Sequence, residues 1–305
     1  MQVSVAYMAV LLIWSTTPLG IVWSSESINP TMAVLLRMLI AVILGSMIIF
    51  IRNIELPWHK QAIRLYAFSA LGIFGGMSFS YLAAGYLSSG ILSLIFGLAP
   101  VFSAILARRI LAEPKISVVK KLSMLLSFIG LGFVCADNFS LANNSIYGLG
   151  YVLIAVFLFS LSGVLVKSVS LAIHPMATTV GALSLSIPLF IANWLILDGS
   201  IDISQWQPRS IWATIYLGVF GSLIGFFAYF FVLQRLTAST VALITLITPV
   251  IALTLGAVLN DEIIHHQLIL GAILVISGLA IYHWGEMIFK KIKINARVTT
   301  CSTKE

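Results

Sequence analysis

The stretch Ala99-Pro100-Val101 recurs 149 residues later as Thr248-Pro249-Val250. The match extends without a gap from residues 72–113 onto residues 221–262, and nine of the 42 paired positions are identical. The identical pairs are Gly72/Gly221, Gly76/Gly225, Leu87/Leu236, Leu94/Leu243, Ile95/Ile244, Pro100/Pro249, Val101/Val250, Leu106/Leu255 and Glu113/Glu262. Apolar residues match easily by chance in such a chain, but paired glycines, prolines and glutamates at one offset indicate an internal duplication.

The composition surrounding this repeat is that of a membrane protein. Of the 305 residues, 60% are hydrophobic and only 9% are charged, a balance that excludes a soluble domain. A helix crosses the hydrocarbon layer with about 20 apolar residues, and the alternating pattern of a membrane barrel is absent. The ten predicted spans are 5–23, 31–51, 63–84, 88–107, 118–136, 147–166, 176–197, 211–233, 239–259 and 267–284.

The basic residues fall on one side of these predicted spans. With the amino terminus inside, 15 of the 17 Lys and Arg residues lie in inner loops or the tail, Arg209 lies in an outer loop and Arg37 lies within a span. The positive-inside rule then predicts two cytoplasmic termini, in a multi-pass protein of the bacterial inner membrane. The net charge of +7 is expected to face anionic membrane lipid, and no nucleic acid partner is predicted.

The position of the repeat boundary predicts how the two copies are oriented. Residues 138–146 contain no Lys or Arg, are expected to form an outer linker and divide the spans five to five. Because five is odd, the second half enters the membrane upside down. We predict an all-α polytopic membrane protein of ten transmembrane helices in two inverted five-helix repeats. The repeats cover 1–137 and 147–287, and a basic cytoplasmic tail covers 288–305.

Short motifs in both repeats resemble a known family. Two of these motifs are the Pro-Val stretches with their loop glutamates. The others are Leu11-Leu12-Ile13-Trp14-Ser15 in the first span and Leu36-Arg37-Met38-Leu39-Ile40-Ala41 in the second. Together they resemble the EamA-type members of the drug/metabolite transporter superfamily. The resemblance implies a carrier that moves amino acids or related metabolites, usually outward, through a central cavity between the halves. The resemblance implies a monomer-sized carrier, and a monomer or homodimer is predicted.

Three of the prolines that lie within predicted spans are Pro18, Pro100 and Pro249. A proline inside a helix frees the carbonyl four residues earlier, and in lipid such a group needs a partner unless it lines a wet cavity. The affected carbonyls are those of Trp14, Phe96 and Thr245. We interpret the three prolines as hinges in a cavity wall, with packing kinks as the alternative.

A second set of residues places polar or aromatic groups in mid-membrane. Trp14 and Thr17 could stack on and hydrogen-bond a substrate, or could be satisfied within the core. Arg37 could pair with a substrate carboxylate, or could bond a helix end. The candidate substrate-binding residues are Trp14, Thr17, Arg37, Ser78, Phe96, Ser160, Thr245 and Thr248.

Other chemistries find little support. All ten Asp and Glu residues fall in loops, helix ends or the tail, which disfavours a buried proton relay and favours facilitated diffusion or exchange. Glu262 and His265 have metal-ligand spacing, but one such motif in a ligand-poor chain is weak evidence, so no metal or cofactor is predicted. No nucleophile–base–acid set occurs, so no enzyme is predicted.

These features predict a secondary transporter of a small-molecule substrate, working by alternating access. An amino acid or related amphipathic metabolite, exported or exchanged, is the expected cargo. One alternative is uptake or exchange of a nucleotide-like cofactor such as S-adenosylmethionine. Another is a membrane accessory subunit that transports nothing.

Overall fold

A computed structural model describes residues 2–113, 117–141, 145–171, 173–236 and 238–302, with side chains except at 135–141, 145, 238–243, 245–246 and 286–302. The described chain contains helices and no strand. The helices are α1 (Val3–Ser24), α2 (Pro30–Ile51), α3 (Lys60–Ala84), α4 (Ser89–Phe96), α5 (Ala99–Ile110), α6 (Val118–Leu141), α7 (Ser145–Lys167), α8 (Pro175–Leu197), α9 (Pro208–Tyr216), α10 (Gly225–Arg235), α11 (Ala238–Leu259) and α12 (His266–Ser302). A π-helical segment, Leu217–Ile224, joins α9 to α10, and a 3-10 turn lies at Ile203–Gln205.

Several helix starts follow from local side-chain chemistry. The Asn29 side chain accepts a hydrogen bond from the Thr31 amide at 3.0 Å, and Pro30 occupies the first position of α2. A proline is well suited there because its missing N–H has no partner in the first turn anyway. His59 and His174 cap α3 and α8 in the same way through Nδ1.

The helices account for the predicted membrane spans. Eight stretches of the described chain are long and apolar enough to cross a membrane, if α4 with α5 and α9 with α10 are each counted once. Helices α6 and α11 occupy the two remaining predicted positions. The predicted fold class, an all-α polytopic membrane protein with two inverted five-helix repeats, is confirmed.

The contacts between helices follow the inverted repeat. The third helix of each repeat packs on the first helix of the other, since α3 contacts α7 and α10 contacts α1. The remaining helices meet their own counterparts, as α2 meets α8, α4 meets α11 and α6 meets α12.

Successive spans alternate in direction. Glu113 therefore lies on the face where α1 begins, called here the amino-terminal face, and Glu262 lies on the opposite face.

The repeated glycines sit at contacts between the two repeats. A Cβ on Gly72 would lie 2.6 Å from the Ser162 Cβ in α7, and a Cβ on its counterpart Gly221 would lie 3.0 Å from the Arg37 Nη2 in α2. Such approaches leave no room for a larger side chain without displacement.

The fourth predicted span is not one continuous helix. Helix α4 ends at Phe96 and α5 begins at Ala99. Pro100 therefore lies in the first turn of α5, where its missing N–H costs nothing. The prediction that Pro100 lies in a helix interior is wrong, because the α-helix is interrupted at residues 97–98 and resumes one residue before the proline. Pro18 and Pro249 lie inside α1 and α11 as predicted.

The eighth predicted span also departs from a simple helix. It begins earlier, at Pro208, and is interrupted by the π-helical segment Leu217–Ile224. π-helical turns are rare and frequently found at functional sites. Helical structure also extends beyond the predicted span ends, with α6 reaching Leu141 and α12 reaching Ser302.

Candidate functional site

Two cavities meet between the repeats. The narrow cavity has a volume of about 90 Å³ and the wide cavity about 240 Å³. Trp14, Ala99 and Phe159 line both, so these three residues form the partition between them.

Aromatic side chains make up most of this partition. The rings of Trp14 and Phe159 meet edge to face with centroids 5.7 Å apart, and the Tyr229 ring lies 5.1 Å from Trp14 and 5.9 Å from Phe159. Phe96 contacts Phe159 at 6.3 Å. We call these four side chains the aromatic layer. The sequence indicated Trp14 and Phe96 as site residues; it missed Tyr229, and only the echo of Trp14-Ser15 in Phe159-Ser160 pointed to Phe159.

The narrow cavity lies on the side of the aromatic layer that is farther from the amino-terminal face. Its wall is mostly apolar, with hydroxyls from Thr17, Ser80, Ser93 and Thr248. The Thr17 hydroxyl donates to the Ile13 carbonyl at 2.7 Å and the Ser80 hydroxyl to the Gly76 carbonyl at 2.6 Å. Since these protons are already used within their own helices, both oxygens remain available as acceptors. The cavity suits an amphipathic molecule with a hydrogen-bond donor.

Arg37 lies directly behind the wall of the narrow cavity. It is fully buried, its Nε donates to the Ser222 hydroxyl at 3.0 Å, and its guanidinium lies 5.8 Å from the centroid of the Tyr81 ring. Within the described chain, Nη1 and Nη2 have no hydrogen-bond partner. Gly221, whose missing side chain makes room for Nη2, lines the cavity. A glycine backbone therefore stands between a buried cation and the cavity.

The remaining predicted contacts lie elsewhere. Ser78 is buried and lines neither cavity. The Ser160 hydroxyl donates to the Ala99 carbonyl at 3.2 Å and so holds the start of α5 against α7. The Thr245 side chain lies outside the described residues. Substrate contact by these three residues stays a prediction.

The prolines surround the two cavities. Pro18 lines the narrow cavity and Pro100 lines the wide one. Pro249 faces the break in the fourth span, because a Cβ on Gly97 would lie 3.5 Å from the Pro249 Cγ. The structure thus brings the break in one repeat against the proline of the other.

Polar contacts join the two repeats on the opposite face. The Trp23 indole donates to the Asn260 side chain at 2.7 Å, and Arg209 donates to the same oxygen at 2.8 Å. Arg209 also lies 4.5 Å from the centroid of the Trp23 ring and 3.6 Å from a carboxylate oxygen of Glu26. These contacts lie on the opposite face, beyond the narrow cavity, none of whose lining residues is exposed.

Glu262 adds a second link there. Its Oε1 accepts a hydrogen bond from the Ser89 amide at 2.9 Å, and its Oε2 accepts one from the Gly90 amide at 3.2 Å. The carboxylate thus caps α4 across the repeat boundary, where the helix dipole favours negative charge. Among the described residues, no group of three or more His, Cys, Asp or Glu could hold a metal ion.

The wide cavity extends toward the amino-terminal face, and its lining becomes charged there. Glu113, Lys120, Lys167 and His283 line that end, and both Glu113 and Lys167 are exposed. The Lys120 ammonium lies 5.4 Å from the centroid of the Tyr282 ring. The protein is therefore open toward the amino-terminal face and closed toward the other.

Comparisons with known proteins agree with this architecture. An uncharacterized transporter of Archaeoglobus fulgidus is 26% identical over 269 residues, covering 88% of this chain and 94% of that protein. A probable amino-acid metabolite efflux pump of Escherichia coli is 32% identical over 114 residues, or 36% of this chain and 38% of that protein. A crystal structure of a protein with 17% sequence identity superposes with a TM-score of 0.67, covering 92% of this chain and 95% of the other, which shows the same fold.

The family model matches both repeats. It is that of the EamA-like transporter family, and it matches residues 3–136 and again residues 146–283. Together with the inverted architecture and the cavities between its halves, this double match shows that the chain belongs to the EamA-like transporter family.

Proposed function

We propose that this protein is a secondary carrier that moves an amino acid or a related small amphipathic metabolite by alternating access, in export or exchange. One observation carries the proposal: two cavities lie on either side of an aromatic layer, and the wide one is lined by exposed residues such as Glu113 and Lys167, whereas no lining residue of the narrow one is exposed. A carrier that exposes a site near the midplane to one face at a time requires this asymmetry.

The residues around the narrow cavity suggest how such a cargo is held. Trp14 and Phe96 offer ring faces to an apolar group, while Thr17 and Thr248 offer hydroxyls. Arg37 lies behind the Gly221 backbone of the cavity wall and contributes a positive potential that favours a carboxylate. A buried cation with unpartnered nitrogens is costly, and an anionic group of the substrate would offset that cost.

The prolines fit the motion that this scheme needs. We assign flexing to Pro18, Pro100 and Pro249, which lie at or against the cavity walls. The break between Phe96 and Ala99 supports this assignment, because a helix bends most readily where its hydrogen-bond ladder is interrupted.

The name of one relative supports the choice of cargo. The Escherichia coli protein named as a probable amino-acid metabolite efflux pump shares 32% identity over part of the chain. An amino acid also has both features that the site provides for, a carboxylate and an amphipathic body.

The distribution of basic residues supports an orientation with both termini in the cytoplasm of a bacterium and the protein in its inner membrane. In that orientation the wide cavity opens to the cytoplasm, as a loading vestibule for export would. The two family matches support a division into repeats at 1–137 and 147–287, in a protein that acts as a monomer or homodimer.

Counterflow in proteoliposomes tests the proposal. Vesicles containing the purified protein and preloaded with unlabelled amino acids should accumulate the labelled amino acid transiently and saturably, and empty vesicles should not. Competition by S-adenosylmethionine alone would support the cofactor carrier instead. If amino acids, S-adenosylmethionine and nucleosides all failed to produce counterflow, the transport proposal would be rejected in favour of an accessory subunit.

A further inference from the structure

The internal repeat relates the Glu262 cap of α4 to a second carboxylate, Glu113, and a second helix end, that of α11. The offset of 149 residues carries Glu262 onto Glu113, and it carries Ala238 and Ser239 onto the capped residues Ser89 and Gly90. Helix α11 begins at Ala238, so the inverted counterpart of the Glu262 cap is a bond from Glu113 to the amino end of α11. Both members of this second pair lie on the amino-terminal face.

We propose that Glu113 and Glu262 are reciprocal gate residues, each capping the fourth helix of the other repeat in one of two states. Glu262 caps α4 when the protein is open to the amino-terminal face. Glu113 caps α11 when it is open to the opposite face. This inference rests on the proposed alternating access and names the residues that hold each state closed.

The described state shows why only one cap forms at a time. The carboxylate of Glu262 lies within hydrogen-bond distance of two backbone amides of α4. Glu113 is exposed and lines the wide cavity instead. Forming its cap would close the wall of that cavity, so the two caps belong to opposite states of the same bundle.

The chemistry of the cap makes it a suitable latch. Its two hydrogen bonds are assisted by the carboxylate charge and by the positive end of a helix dipole. They join atoms of different repeats, so they are made or lost when the repeats move. Each carboxylate is at a water-exposed face when its gate is open, which spares it the cost of burial without a partner.

The two gates differ in strength. Asn260 holds the Trp23 indole and Arg209 on the opposite face, whereas its repeat counterpart is the apolar Leu111. The opposite-face gate therefore has side-chain bonds that the amino-terminal gate cannot reproduce at that position. We expect the substrate-free carrier to rest open toward the amino-terminal face.

Distance measurements by pulsed electron paramagnetic resonance test the proposal without substrate. In a background of Cys135→Ser and Cys301→Ser, one spin-label pair at Arg109→Cys and Gln234→Cys reports on the amino-terminal face. A second pair at Tyr86→Cys and Ile263→Cys reports on the opposite face. The gate variants are Glu113→Gln and Glu262→Gln. Asp261→Asn and Glu55→Gln remove an exposed charge from each face as matched controls.

The expected shifts have opposite signs. Glu262→Gln should raise the population open to the opposite face about threefold or more, because charge-assisted bonds are about twice as strong as neutral ones. Glu113→Gln should lower that population, and both controls should leave it unchanged. Equal shifts in the two variants, or a loss of thermal stability with unchanged distances, would overturn the assignment. Because no substrate is needed, this outcome is separate from that of the counterflow assay.

Discussion

Trp14 in the first helix of one repeat lies edge to face against Phe159 in the first helix of the other, with ring centroids 5.7 Å apart. The two side chains hold corresponding places, since Trp14-Ser15 is echoed by Phe159-Ser160. The partition between the cavities is thus built from the first helix of each repeat. Any movement of one repeat against the other must change this contact.

We expect Trp14→Ala to raise the KM for transport about tenfold, because a lost aromatic contact costs ~0.5–1.5 kcal/mol beyond the apolar area. The substitution should also join the two cavities and slow the build-up of a substrate gradient. Initial rates over a range of concentrations measure the first effect, and the counterflow overshoot measures the second. Trp14→Phe keeps a ring in the layer and should recover most of the affinity. Equal KM values for Trp14→Ala and the natural protein would remove Trp14 from the binding site.

Replacing Arg37 should change which cargo is accepted. If its guanidinium holds a carboxylate, Arg37→Gln should weaken transport of a free amino acid about tenfold or more while leaving that of its methyl ester nearly unchanged. The informative quantity is the ratio of kcat/KM for the acid over that for the ester. Ser222→Ala, which removes only the partner of Nε, serves as the control and should alter the ratio little. A parallel fall for acid and ester would assign Arg37 to the fold alone.

The contact between α6 and α12 should be intolerant of added atoms. A Cβ on Gly271 would lie 2.8 Å from the Gly130 carbonyl oxygen and 3.0 Å from the Val134 amide nitrogen. Gly271→Ala should therefore lower the free energy of unfolding by about 1–3 kcal/mol. Gly132→Ala is the matched control in α6, because nothing lies within 4 Å of its added Cβ. Thermal unfolding in detergent should separate the two variants, and equal transition temperatures would contradict the close packing.

The cap of α8 should make stability depend on pH. Partial burial, and then the charge of Arg235, lower the pKa of His174 from its ordinary value of 6.5. Its Nδ1 accepts a hydrogen bond from the Met176 amide at 3.2 Å, so the cap needs the neutral imidazole. The unfolded chain binds the proton more readily than the folded one. The contribution of His174 is thus complete above pH 6.5 and is lost as the pH falls toward the lower folded-state pKa.

The natural protein should accordingly lose more thermal stability between pH 7.5 and pH 5.5 than His174→Asn, since asparagine caps a helix without titrating there. The effect should be small because the side chain is exposed. Unfolding curves for both proteins at the two pH values measure the difference. Identical pH responses would show that this histidine does not titrate in the window.

Much of the architecture could be predicted from the sequence, because lipid restricts a spanning chain to few options. The lengths of the apolar stretches predicted the spans, and the repeated Gly, Pro and Glu residues revealed the duplication. The break before Pro100 was harder to predict. A proline fits both a helix interior in lipid and a first helical turn, and the choice depends on contacts from the other repeat, such as that of Pro249 near Gly97, which a linear pattern does not show.

The site was predicted in part, for similar reasons. Trp14, Phe96 and Thr248 stood out as unusual residues in mid-membrane, and they line the narrow cavity. Tyr229 and Ser222 did not stand out, because one more aromatic ring or hydroxyl in an apolar helix carries no distinguishing signal. Their roles come from the π-helical segment and the helix after it, whose register the sequence does not reveal.

The reciprocal packing of the helices has a consequence for separated halves. The first and third helices of each repeat pack against the third and first helices of its inverted partner. A half expressed alone would leave those surfaces in lipid, and a second copy inserted the other way up would be its natural complement. Residues 1–137 by themselves should therefore lack that complement, because their basic residues favour a single orientation in the membrane.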